Sequence, residues 1–215
     1  MRRALVAVLL GSLALLVSPT PAFAHAEMTS STPRNGAQLT SAPKSIIITF
    51  GEAVELETAA IVDRNGVVLP SQSVISGARL TVTPKSALAK GMFAVTWQVL
   101  SDDGHHVAGA ISFTVATANT AGKPASLSLT PAVKAQISAP FVGYRTITFT
   151  STAKSGEVLL SSPTLPGPIT WQVTGNGRLA KASGVVPFPG SWGIEASLLS
   201  GQTDFVVVKG SQSFG

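Results

Sequence analysis

Phe93-Ala94-Val95-Thr96-Trp97-Gln98-Val99 alternates large apolar residues with small or polar ones, and this period of two decides the fold class. Residues two apart share one face of a strand, so Phe93, Val95, Trp97 and Val99 point into one core. The same period recurs on both sides. Upstream, Ile46, Ile48 and Phe50 share a face, as do Val54, Leu56, Ala60 and Val62. Asp63-Arg64-Asn65-Gly66 ends that second stretch, and Asn-Gly is a hairpin signal because both residues tolerate positive φ. A turn at Gly77 separates Gln72–Ile75 from Leu80–Thr83, and Ile111, Phe113 and Val115 close this half. Many short alternating strands with turns between them predict a β-sandwich or barrel.

Further downstream, Ala118 to Ser126 (ANTAGKPAS) is small, polar and interrupted by Gly and Pro, the composition of a linker. The alternation then resumes in Ile147 and Phe149, Val158 and Leu160, Ile169-x-Trp171-x-Val173, Trp192-x-Ile194-x-Ala196-x-Leu198, and Phe205 to Val208. No stretch has the 3.6-residue period of a long amphipathic helix. The expected fold class is all-β, with two small Ig-like β-sandwich domains in series: 25–117, a linker at 118–126, and 127–212.

The first 24 residues read differently. Arg2 and Arg3 precede an apolar run from Ala4 to Val17, Ser18-Pro19-Thr20-Pro21 breaks it, and Ala22-Phe23-Ala24 supplies the small residues of a cleavage site. This predicts a signal peptide at 1–24 and export to the periplasm or another extracytoplasmic part of the envelope. No other segment has the length of a membrane-spanning helix, so the mature chain is expected not to span the membrane. The chain has no cysteine, which excludes disulfides and a lipid-anchor site. Charged residues are 12% of the 215 and the formal charge is +5, scattered and without a basic stripe, so nucleic acid is not an expected partner.

The chain has three histidines: His25, directly after the expected cleavage point, and His105 and His106 in Ser101-Asp102-Asp103-Gly104-His105-His106. An N-terminal histidine can close a six-membered chelate ring through its α-amine and imidazole Nδ1. These groups titrate near ~8 and ~6.5 and release protons readily to a metal. At extended spacing Asp103 and His105 point the same way and could add a carboxylate and an imidazole, with Gly104 allowing a turn or bulge between them. A planar set of nitrogen and oxygen donors favours Cu(II), one ion per chain. His106 and Asp102 would face the opposite way. The bland alternatives are a chance histidine at a cleavage site and an ordinary polar hairpin turn.

His25-Ala26-Glu27, Ser31-Thr32-Pro33-Arg34-Asn35-Gly36-Ala37-Gln38-Leu39 and Ile48-Thr49-Phe50-Gly51-Glu52-Ala53-Val54-Glu55, followed by Trp97-Gln98-Val99-Leu100-Ser101-Asp102-Asp103-Gly104-His105, resemble the CopC family of copper-resistance proteins over His25 to about Ala118. The resemblance implies a Greek-key β-barrel or sandwich and a Cu(II) site made by His25, Asp103 and His105. Two departures stand out. Met28 and Met92 do not form the Met-rich Cu(I) segment of some members, and the residue after the ligand histidine, usually proline, is His106. His106 could compete as a ligand, and Glu27 is either a weak extra donor or a solvated edge charge.

In the second half, Gly167-Pro168-Ile169-Thr170-Trp171 and Pro187-Phe188-Pro189-Gly190-Ser191-Trp192 resemble the YtkA-like sandwich at the end of CopD-type membrane copper transporters. The expected role is binding rather than catalysis: buffering copper or delivering it, with a CopD-like transporter as candidate partner. Two other readings remain open. One is an N-terminal-histidine copper enzyme of the polysaccharide monooxygenase kind. The other is an Ig-like envelope or adhesion protein without metal.

Overall fold

The computed structural model describes residues 26–118, 121–141, 143–165, 167–201 and 204–214; the expected signal peptide at 1–24 and His25 lie outside the described residues. The described residues form strands and no helix, in agreement with the all-β expectation, and none of their segments is a helix long and apolar enough to cross a membrane.

Two sheets face each other in the first half. One runs in the order β1 (Met28–Thr32), β3 (Ile46–Phe50), β7 (Arg79–Pro84), β6 (Ser71–Ser76). The other runs β2 (Ala37–Leu39), β9 (His106–Val115), β8 (Gly91–Ser101), β4 (Val54–Asp63), β5 (Val68–Leu69), with β2 parallel to β9 and the rest antiparallel. Between them Ile46, Ile48, Leu80 and Val82 meet Ile61, Val95, Trp97, Ile111 and Phe113, all buried. Phe50 stands edge-on to Trp97 with ring centroids 6.2 Å apart, a favoured aromatic geometry.

Trp97 also explains Gly109. The two residues are directly opposed in the β8–β9 ladder, and a Cβ on Gly109 would lie 2.5 Å from Trp97 Cζ2. An indole clamped in a core cannot swing aside as a flexible chain end can. Gly109→Ala is therefore expected to lower unfolding free energy by about 1–3 kcal/mol, the usual cost of overpacking, as measured by urea denaturation.

The second half is one curled antiparallel sheet. Its order is β10 (Gly122–Leu127), β12 (Ala135–Phe141), β13 (Tyr144–Thr150), β16 (Leu179–Val185), β15 (Ile169–Gly175), β14 (Ser155–Ser161), β17 (Gly190–Leu199), β18 (Phe205–Phe214), β11 (Leu129–Thr130). β10 pairs with β12 at one edge, and one residue later β11 pairs with β18 at the other. The segment 122–130 thus ties both edges together around a core that includes Phe149, Leu160, Trp171, Trp192 and Leu198.

Within the segment read as a linker at 118–126, the residues from Gly122 onward form strand β10. Leu127 is buried in the second core and draws the preceding residues into register, with Ala125 opposite Ile137. The misleading composition is accommodated at the sheet edge, where the register slips between Gly122 and Ala125 around Pro124, which has no N–H to donate.

The halves also touch. Met92 and Ala94, on the face of β8 away from the first core, pack with Val62 against Val185, Tyr144 and Phe188. All six residues from Met92 to Trp97 are therefore buried, and β8 is covered on both faces.

Candidate metal centre

β8 ends at Ser101 and β9 begins at His106, so the candidate residues sit in a tight turn rather than on an extended strand. The Ser101 N–H donates to the His105 carbonyl (2.9 Å) and the Gly104 N–H to the Ser101 carbonyl (2.9 Å). Gly104 has φ of +83°, a left-handed conformation that other residues adopt at a cost. Asp103 and His105 do converge, but through this turn: Asp103 Oδ2 lies 2.9 Å from His105 Nδ1.

Asp103 is held from several directions. Its Oδ1 accepts from the Ser101 hydroxyl and from the His105 N–H at 3.2 Å, while Ser101 Oγ also accepts from that same N–H at 3.1 Å. The hydrogen bond from Ser101, and after it the one from His105, brings the Asp103 pKa down from 3.8 to about 2. A carboxylate whose pKa falls on folding stabilises the fold above its unfolded value and loses that effect as pH drops from 3.8 through about 2. At neutral pH Asp103 is an anion. With Nδ1 turned to Asp103, Nε2 is the His105 ring nitrogen that this contact does not use.

His106 has a different partner. Its Nδ1 lies 2.9 Å from the Glu57 carboxylate on β4. Glu57 sits where the β4–β8 register slips between Leu56 and Thr58, an irregularity that no period-two reading of the sequence could locate. Ser101 was likewise not singled out, although a serine two residues before an aspartate in a turn is a readable local pattern.

His105 and His106 open onto a cleft of about 460 Å³ between the two halves, with Glu27 on the same side and Tyr144, Glu157 and Gln172 from the second half opposite. Ala26 is fully buried in the first core, and the Glu27 carbonyl accepts from the Gly51 N–H at 2.9 Å, so the chain is pinned where it enters β1. Among the described residues, no three His, Asp or Glu side chains gather closely enough to hold a metal by themselves. The donors that are present fit Cu(II): an ionised carboxylate and an exposed imidazole, both on a rigid turn.

Comparison with known proteins gives consistent results. The CopC domain matches residues 28–116. Copper resistance protein C of Xanthomonas campestris pv. juglandis is 34% identical over 105 residues, 44% of this chain and 82% of that protein. Copper transport protein CutJ of Bacillus subtilis is 30% identical over 130 residues, 56% of this chain but 24% of that protein, so the chain spans about a quarter of that relative. The crystal structure of CopC from Methylosinus trichosporium OB3b is 29% identical, with a TM-score of 0.40, covering 42% of this chain and 93% of that one. Since most of a 34% identical relative is matched across the sheets that carry the Asp103–His105 turn, the chain belongs to the CopC family.

Proposed function

We propose that this chain, cleaved after Ala24, is an exported copper-resistance protein that binds one Cu(II) ion through the His25 α-amine and imidazole, Asp103 and His105. It buffers the ion or hands it to a membrane transporter of the CopD kind. The observation that carries the reading is the 2.9 Å apposition of Asp103 and His105 on a turn fixed by Ser101. The pinned entry to β1 supports it. Residue 25 is one Cα step of ~3.8 Å from Ala26, and Glu27 already lines the cleft on which His105 opens. The 127–212 region, which contains no His, Cys or Met, supplies the opposite wall of the cleft.

Titrating the mature protein with Cu(II) while recording EPR spectra tests this. A single type-2 signal saturating at about one equivalent is expected. Affinity should fall as pH is lowered from ~8 to ~5, through the amine and imidazole ranges, with no further step from Asp103 above ~pH 3. A signal that saturates at two equivalents, or an affinity independent of pH over that interval, would remove the proposed ligand set.

A further inference from the structure

Most large apolar residues of the second half are buried, yet three gathered at one end of its sheet are not. Leu179 is 42% exposed, Phe205 66% and Val206 46%. The ladder places them at the same end of the sheet, on strands four steps apart: Thr150 opposes Leu179, Ser155 opposes both Thr174 and Leu199, and Leu199 opposes Phe205. Backbone hydrogen bonds tie the same end together, from Ser151 N–H to the Arg178 carbonyl, Lys154 N–H to the Leu199 carbonyl and Thr150 N–H to the Lys134 carbonyl.

Those bonds also collect charge. Lys134, Lys154, Arg178 and Lys181 are all exposed at or next to this end, against one carboxylate, Asp204, among the described residues there. The chain as a whole has a formal charge of only +5, so this tip holds a large share of the surplus. The strands run from this tip to the face that meets the first half. β16 begins at Leu179 and ends at Val185, which packs against Met92 and Ala94. Seven residues of strand span ~20 Å, so the tip lies at the opposite end of β16 from the contact with the first half.

We propose that this tip docks the protein on an anionic lipid surface. What the tip presents is a phenylalanine, a valine and a leucine ringed by cations, the combination that inserts shallowly among headgroups while the cations pair with anionic lipid. Neither term alone gives stable attachment; together they do.

Co-sedimentation of the mature protein with vesicles tests the proposal. Binding is expected to vesicles of mixed phosphatidylglycerol and phosphatidylcholine at ~0.1 M salt, and release at ~1 M, where the screening length shrinks from ~10 Å to ~3 Å. Vesicles of phosphatidylcholine alone should bind weakly or not at all. The double substitution Lys154→Glu and Arg178→Glu should weaken binding at least about tenfold, as should Phe205→Ser with Val206→Ser. All four side chains are exposed, so urea denaturation should show both variants folded, and their Cu(II) titrations should be unchanged. Equal binding to neutral vesicles, or full binding by the charge-reversed variant, would overturn the proposal. So would the absence of vesicle binding together with self-association that Phe205→Ser abolishes, which would make the tip a contact between copies.

Discussion

A variant with one extra residue ahead of His25 is expected to bind Cu(II) at least about a hundredfold more weakly than the protein that begins at His25. Joining a residue there turns the α-amine into an amide, which holds no basic lone pair at neutral pH. The six-membered ring is lost, and the His25 imidazole can chelate only with the new, displaced amine and an amide nitrogen whose proton the metal must first expel. The rest of the set cannot compensate. Asp103 and His105 are the two candidate donors brought together by the described structure, and no three such side chains gather there. Removing an outer partner of a metal ligand commonly costs ~10–100-fold in affinity, so losing a direct ligand together with its ring should cost more. His105→Ala and Asp103→Asn serve as companions, each expected to weaken binding, with Asp103→Asn also moving the EPR parameters because the carboxylate charge is gone. Competition against a chelator of known affinity reads all three. If the extended variant binds as tightly as the mature protein, the amine is not a ligand and the proposed ligand set falls.

The alternating strands were legible because large apolar side chains on a period of two leave little else for the backbone to do. Ile46, Ile48 and Phe50, or Trp192, Ile194, Ala196 and Leu198, are buried as that period requires. Strands whose inward residues are small were missed. β16 presents Ala180 and Ala182 to the core and β12 presents Ala135, Ile137 and Ala139, patterns too weak to stand out from loop composition. The run Phe205 to Val208 is strand, as its pattern predicts, but hydropathy gives no sign that one end of it is exposed. Only Val208 is buried, and the two residues at the exposed tip belong to a surface, which hydropathy cannot distinguish from a core.

The site was half legible. Asp103, Gly104 and His105 could be grouped by residue type and spacing, but their approach depends on a turn closed by Ser101 and on a positive φ at Gly104. Glu57, the partner of His106, is 49 positions away in sequence and reaches it across a ladder irregularity. Tyr144, Glu157 and Gln172 face the cleft only because the two halves pack together, a relation that no local pattern encodes.

That packing leads to the second large expected effect. Ala94 alternates with Phe93 and Val95 and, by period alone, belongs on a solvent-facing surface where Asp would be harmless. In the structure Ala94 is fully buried beside Val62, Met92 and Val185. Ala94→Asp would bury a carboxylate among Val62, Met92 and Val185, with the neutral Ser112 opposite it in the ladder. Taking even an uncharged polar group from water without a partner costs ~2–7 kcal/mol, and an ionised one costs more. Each half retains its own core, with Phe113 and Ile111 in one and Trp192 and Phe149 in the other, and neither core includes Ala94. The least costly response is therefore for the halves to part and let water reach the charge. A single calorimetric transition of the unsubstituted protein should become two in Ala94→Asp, while Ala94→Ser, small and able to donate to a nearby carbonyl, should change little. Separation would also open the cleft, so Cu(II) should leave Ala94→Asp for a chelator faster than it leaves the unsubstituted protein, with the type-2 EPR signal itself preserved. If Ala94→Asp unfolds in one transition at unchanged temperature, the halves do not rely on this contact, and the second half is not a wall of the metal cleft in solution.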